Sequence, residues 1–66
     1  MQTTINGEPQ MLEDVTTIAS LMERLKLDAA KVAVELNLAI VPRSAYGDTT
    51  LSDGDQIEIV QFIGGG

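Results

Sequence analysis

The residues of this chain that could take part in chemistry lie at its C-terminal end, where the sequence reads Gly64-Gly65-Gly66. The terminal carboxylate has no side chain beside it, and a glycine segment can lie extended in a channel too narrow for larger residues. A carboxylate is ionised at neutral pH and can attack the α-phosphate of ATP, giving an acyl-adenylate. That acyl group accepts a sulfur nucleophile to form a thiocarboxylate. A frayed terminus and a cloning remnant are the alternative interpretations.

The glycines directly follow residues 56–62, which are rich in β-branched side chains and are predicted to form a strand. An extended chain advances about 3.3–3.6 Å per residue, so the segment after Val60 could reach about 20 Å. We therefore expect one folded domain over residues 1–62 and a flexible tail over residues 63–66. Such a tail could carry the carboxylate of Gly66 into the active site of another protein.

The side chains offer little for nucleophilic catalysis or zinc binding, because the sequence contains no His and no Cys. Nucleophilic catalysis normally needs a base such as His, and zinc sites use the same two residue types. The acidic pairs Glu13-Asp14 and Asp53/Asp55 lie beside predicted turns, where carboxylates usually act as solvated caps. We predict no catalytic residue, no bound metal and no bound cofactor, and therefore a protein that is not itself an enzyme.

The charge balance also restricts the partners. Four Lys and Arg against ten Asp and Glu leave a net charge of −6. This charge repels phosphate backbones and anionic lipid surfaces, so neither nucleic acid nor a membrane is an expected partner. The first residues lack the pattern of a signal peptide, and no apolar run approaches the roughly 18 residues of a membrane span. A cytoplasmic location is the resulting prediction.

Hydrophobic periodicity predicts the order β-β-α-β-β. Asn6-Gly7 is a typical tight hairpin turn and joins strands at residues 3–5 and 10–12. A helix over residues 17–26, capped by Thr16 or Thr17, is followed by a strand at 31–36, an Asn37-Leu38 turn, an extended segment at 39–41 and the final strand. Residues 43–52 are predicted to form an irregular loop or a short helical turn.

These elements predict an α+β fold with a mixed sheet covered on one face by a single helix. A β-grasp arrangement, with the first and last strands side by side and parallel, joins them by short connections. The helix stripe and the alternation of the strands predict the core, which comprises Ile18, Leu21, Leu25, Val32, Val34, Ile57 and Ile59.

Over essentially its full length the chain resembles the ThiS family of sulfur carriers, and more distantly MoaD and ubiquitin. The similarity is carried by the Asn6-Gly7 hairpin, the single helix, the segment VAVELNLAIVPRSAY and the closing segment TTLSDGDQIEIVQFIGGG. The resemblance implies a β-grasp protein whose Gly66 is adenylated and then converted to a thiocarboxylate that supplies sulfur for the thiazole of thiamine. Gly65 would complete the required diglycine, and Gly64 would be an additional tail glycine.

The partners that the resemblance implies are an E1-like adenylyltransferase that uses ATP and Mg²⁺, a cysteine desulfurase or other sulfur donor, and thiazole synthase. Alternation along the last strand turns Glu58, Val60 and Phe62 away from the helix if Ile57 and Ile59 face it. We predict that these three outward residues form the docking surface that leads to the tail. The alternative is that Phe62 only covers the sheet.

Three other functions stay open at this point. The small subunit of molybdopterin synthase presents a similar glycine thiocarboxylate, although members of that family tend to be longer. A non-covalent ubiquitin-like interaction domain would not need the tail, and a protein modifier would form isopeptide bonds with it.

Overall fold

The structure of the protein, a computed structural model, describes residues 1–62. The predicted tail, with Gly64, Gly65 and Gly66, lies outside the described residues. Two short 3-10 helices span Ala29–Lys31 and Arg43–Ala45. The main elements are β1 (Gln2–Ile5), β2 (Glu8–Met11), α1 (Ile18–Leu25), β3 (Val32–Leu36), β4 (Ala39–Val41) and β5 (Gln56–Gln61).

The described strands form one mixed sheet in the order β2-β1-β5-β3-β4. β5 lies in the middle, parallel to β1 and antiparallel to β3, while the outer pairs are antiparallel hairpins. This is the predicted β-grasp arrangement, with the first and last strands adjacent and parallel. The predicted order of elements was one strand short, because residues 39–41 pair with β3 as strand β4. Pro9 is tolerated in β2 because this strand is at the edge of the sheet.

Helix α1 covers one face of the sheet and is held at its start by a capping box. The side chain of Thr17 accepts a hydrogen bond from the backbone N–H of Ser20, and the Ser20 hydroxyl oxygen accepts one from the N–H of Thr17. Ile18 and Leu21 are buried as predicted, but Leu25 is 39% exposed and the prediction that it belongs to the core was wrong. Its position is in the last turn, just before the chain turns away at Lys26 in a left-handed conformation.

The segment between β4 and β5 contributes more to the core than its polar sequence indicates. Tyr46 and Leu51 are both buried there. Backbone hydrogen bonds join this segment to the start of α1, from the N–H of Leu51 to the carbonyl of Thr16 and from the N–H of Ile18 to the carbonyl of Thr49. The core therefore closes around both the helix and this segment, and its buried apolar residues are Leu12, Val15, Ile18, Leu21, Met22, Val32, Val34, Val41, Tyr46, Leu51, Ile57 and Ile59.

The two hairpins use the same kind of turn with different residues. Asn6 and Gly7 join β1 to β2 with φ angles of 51° and 82°, and Asn37 and Leu38 join β3 to β4 with 51° and 72°. Positive φ at both central residues is the geometry that fits the twist of a hairpin, and it favours Asn followed by Gly. Leucine at the second position is strained, because its Cβ crowds the backbone in the left-handed region. Leu38 is also 86% exposed, so little packing offsets that strain.

We predict that Leu38→Gly raises the free energy of unfolding by about 1 kcal/mol, because glycine adopts positive φ without the steric cost. The matched reverse change, Gly7→Leu, should lower it by a similar amount. Nothing lies within 4 Å of a Cβ added at Gly7, so the backbone conformation is the main cost there. Thermal unfolding would measure both, with an expected shift of about 4–8 °C per kcal/mol in a domain of this size. A lower melting temperature for Leu38→Gly would contradict the strain argument.

Candidate functional site

The strand that leads to the C-terminus is the central strand of the sheet. β5 is paired on both sides, and the described chain continues beyond it to Phe62, whose backbone N–H donates to the carbonyl of Lys31 at 2.8 Å. The predicted reactive residue Gly66 and its neighbours Gly64 and Gly65 follow this point and lie outside the described residues. The structure thus fixes the position from which the last four residues start.

Side chains alternate along β5 between the core and the open face of the sheet, which is the face away from α1. Ile57 and Ile59 are buried against the core, whereas Val60 is 60% exposed and Phe62 is 54% exposed. Glu58 is exposed on the same side as these two. The three residues predicted as a docking surface are therefore all exposed, Glu58 and Val60 on β5 and Phe62 directly after its last residue.

The open face extends beyond β5 through residues that the sequence analysis did not single out. In the register of the sheet, Ala33 lies opposite Val60, and Glu35 lies between Glu58 on one side and Ile40 on the other. All of these side chains are exposed. The strict alternation of residues 31–36 indicates that the side chains of Ala33 and Glu35 point away from the core. The neighbours that they meet across the sheet depend on the strand order and register.

Glu35 and Glu58 form an unfavourable pair in the isolated chain. They occupy directly opposite positions on the antiparallel strands β3 and β5, where like charges repel one another. Apolar neighbours of this pair on the open face include Ile40, opposite Glu35, and Val60, two residues after Glu58. The open face thus combines exposed apolar side chains with a concentrated negative charge.

The Asn6 side chain binds the backbone of β5 at Ile59. Its side-chain oxygen accepts a hydrogen bond from the backbone N–H of Ile59 at 2.7 Å, and its side-chain N–H donates to the carbonyl of Ile59 at 3.1 Å. Strand β1 ends at Ile5, so this amide continues the pairing of β5 after the backbone of β1 has turned away. The sequence pattern predicted Asn6 as a turn residue and did not predict its hydrogen bonds to Ile59.

Asn37 binds the start of β5, and Asp53 and Asp55 make hydrogen bonds in the turn just before it. The carbonyl oxygen of the Asn37 side chain accepts from the N–H of Gln56 at 2.9 Å, and its amide donates to Asp55 at 3.0 Å. Asp53 accepts from the backbone N–H of Gln2 at 2.6 Å. The two acidic residues thus accept hydrogen bonds from protein donors, Asp53 from the first residue of β1 and Asp55 from the turn residue Asn37. The part of the chain that the structure describes contains no cluster of side chains able to hold a metal ion.

No helix within residues 1–62 is both long enough and apolar enough to cross a membrane. The same residues enclose no detectable cavity.

Comparison with known proteins identifies relatives over the whole length of the chain. A sulfur carrier protein ThiS from Bacillus subtilis is 41% identical over 63 residues, covering 94% of this chain and 96% of the relative. A thiazole synthase from Paramagnetospirillum magneticum is 48% identical over all 66 residues, but this chain spans only 20% of its length. The crystal structure of a thiamine biosynthesis protein (ThiS) from Geobacter metallireducens matches with a TM-score of 0.85 and 38% identity, covering 100% of both chains.

The mixed sheet, the single covering helix and the exit of the chain from its central strand define a β-grasp, ubiquitin-like protein. The family model of the ThiS family matches residues 3–66. The chain belongs to the ThiS family.

We predict that Asn6→Gly lowers the free energy of unfolding by about 1–2 kcal/mol, because it removes both side-chain hydrogen bonds to Ile59 and keeps the positive φ. Asp14→Gly is a matched control. Asp14 also has a positive φ, of 60°, which Asp tolerates better than Leu does. The hydrogen-bonding carboxylates of the described residues are those of Asp28, Asp53 and Asp55, so the change at Asp14 should have little effect. Urea unfolding would compare the two. Equal losses in both variants would mean that the Asn6 side chain contributes nothing specific.

Proposed function

We propose that this protein is a sulfur carrier for the thiazole of thiamine, and that it acts through the carboxylate of Gly66. The observation that carries the proposal is family membership over residues 3–66, a match that includes the glycine tail. The relatives named as sulfur carriers also match over nearly their whole length. In this proposal the chain is a protein co-substrate of other enzymes and has no catalytic residue of its own.

The chemistry takes place in two steps on the terminal carboxyl group. A carboxylate oxygen of Gly66 attacks the α-phosphorus of ATP, which is bound with Mg²⁺ on an E1-like adenylyltransferase, and pyrophosphate leaves. A sulfur nucleophile, hydrosulfide in the simplest case, then attacks the carbonyl carbon of the acyl-adenylate. The C–O bond to AMP breaks, AMP leaves, and the terminal group becomes a thiocarboxylate.

The partners follow from these steps. The adenylyltransferase supplies ATP activation, a cysteine desulfurase or another donor supplies the sulfur, and thiazole synthase consumes the thiocarboxylate. The match to a thiazole synthase over 20% of its length supports the last of these, because a segment similar to this chain forms part of that synthase. A cytoplasmic location belongs to the same proposal.

The domain body provides the recognition that a glycine tail cannot. Gly64, Gly65 and Gly66 have no side chains, so an enzyme that accepts the tail must distinguish this protein by contacts elsewhere. The exposed side chains of Val60 and Phe62, with Glu58 on the same face, lie on the strand that leads to the tail. We assign docking of the adenylyltransferase to these residues.

The carrier chemistry predicts a defined change in intact mass. After incubation with ATP, Mg²⁺, an E1-like adenylyltransferase and a sulfur donor, the protein should gain the mass that corresponds to exchange of one oxygen for one sulfur. A variant that lacks Gly65 and Gly66 should gain nothing, because its terminus falls short of the enzyme's active site. An unchanged mass in the full chain, with an adenylyltransferase shown to be active on its own carrier, would contradict the proposal.

The docking assignment predicts that Phe62→Ser weakens binding to the adenylyltransferase by about tenfold, because it removes an exposed apolar contact beside the tail. The fold should persist, since Phe62 is half exposed and lies after the last residue of β5. Calorimetric titration would measure the affinity, and circular dichroism would check the fold. Wild-type affinity in a folded variant would remove Phe62 from the docking surface.

A further inference from the structure

The Asn6-Gly7 turn is a chemically reactive pair that the proposed function does not use. Asparagine is among the thermolabile residues, because its side-chain carbonyl carbon, Cγ, can be attacked by the backbone nitrogen of the next residue. Glycine at that next position has no Cβ to crowd the attack. Both residues are exposed, and no described atom outside its chain neighbours lies within 4 Å of a Cβ added at Gly7. Water therefore has access to this turn.

The fold holds the same side-chain amide in place. Asn6 Oδ1 accepts a hydrogen bond from the N–H of Ile59 at 2.7 Å, and Asn6 Nδ2 donates one to the carbonyl of Ile59 at 3.1 Å. Ring closure turns Cγ toward the nitrogen of Gly7, and an amide bonded through both of its heteroatoms must give up both hydrogen bonds to turn. Two hydrogen bonds are together worth about a factor of ten in an equilibrium constant. The reaction is therefore expected to be slower in the folded domain than in the unfolded chain.

The second hairpin contains a similar asparagine with a different neighbour. Asn37 has a φ of 51°, as Asn6 does, and its side chain binds the backbone of β5 at Gln56. Leu38 follows it, and a leucine side chain crowds the backbone nitrogen that would have to attack. The chain thus has one asparagine whose neighbour permits ring closure and one whose neighbour hinders it, and both are bound to the backbone of β5.

We propose that Asn6 is a site of spontaneous deamidation by water, and that its hydrogen bonds to Ile59 protect it as long as β1 and β5 stay paired. The nitrogen of Gly7 attacks Cγ of Asn6, its proton passes to the side-chain nitrogen, and ammonia leaves from a cyclic succinimide. Water then adds to either carbonyl of the ring, and the C–N bond at that carbonyl breaks. The products are aspartate and isoaspartate, and the overall change is hydrolysis of an amide to a carboxylate and ammonium.

Either product removes the contact that protects the site. A carboxylate only accepts hydrogen bonds, so aspartate loses the bond to the carbonyl of Ile59 and places an oxygen against it. In isoaspartate the former side-chain carbon becomes part of the main chain, so the amide that bound Ile59 is gone and the tight turn is lengthened. In both cases one negative charge is added, and β5 loses a side-chain hydrogen bond on the stretch that leads to Phe62.

The first test compares the rates of deamidation at the two turn asparagines. Peptide mapping by mass spectrometry would follow both during incubation at mildly alkaline pH, with and without concentrated guanidinium chloride. In the denaturant, Asn6 should convert and Asn37 should convert far more slowly. Without denaturant, conversion of Asn6 should be at least about tenfold slower. Leu38→Gly gives Asn37 a glycine neighbour, so in the denaturant Asn37 of this variant should convert about as fast as Asn6.

The second test measures what the modification does to the fold. Asn6→Asp reproduces one product, whereas Gln10→Glu adds the same charge on the exposed edge strand β2 and leaves the contact to Ile59 intact. Thermal unfolding should give Asn6→Asp a melting temperature about 4–8 °C below that of wild type. The charge-matched control should melt close to wild type.

Each part of the inference has a result that would overturn it. No conversion of Asn6 in the denaturant would overturn the site itself, and equal rates with and without denaturant would overturn the protection by Ile59. Equal melting temperatures for Asn6→Asp and Gln10→Glu would overturn the effect on β5. None of these results depends on the proposed function, because the same turn would react in a chain that carries no sulfur.

Discussion

The pairing of β5 between β1 and β3 is the constraint on which the rest of the structure depends. It joins the two ends of the sequence in a parallel contact, through hydrogen bonds from the N–H of Thr4 to the carbonyl of Asp55 and from the N–H of Asn6 to the carbonyl of Ile57. It also buries Ile57 and Ile59 against the helix layer. The last described residues therefore follow a firmly placed strand, because central strands open only with the core.

The turn asparagines extend this constraint to both ends of β5. Asn6 binds the backbone of Ile59 and Asn37 binds the backbone of Gln56, so each hairpin turn is tied to the strand that it does not itself connect. Side-chain amides can do this because they carry a donor and an acceptor in the same plane, like a peptide group. The two hairpins are therefore joined through β5, and the sheet is held as one unit despite the shortness of its strands.

The two faces of the sheet differ in composition and in exposure to solvent. The face beneath α1 is apolar and closed by the helix and by the segment that contains Tyr46 and Leu51. The open face retains exposed apolar side chains and a directly opposed pair of glutamates. A domain this small has little stability to spare, so like charges placed directly opposite each other reduce a small margin.

The sequence by itself determined the types of the elements and the direction of the side chains within each one. The stripe on α1, the Asn-Gly turn, the alternation of residues 31–36 and the orientation of β5 all follow from local period and turn chemistry, which act over a few residues. Only the tertiary structure decided which segments meet. It paired residues 39–41 as a strand, exposed Leu25, buried Tyr46 and Leu51, and placed Glu35 against Glu58. These outcomes depend on register and packing between segments far apart in the chain, and no local pattern encodes such neighbours.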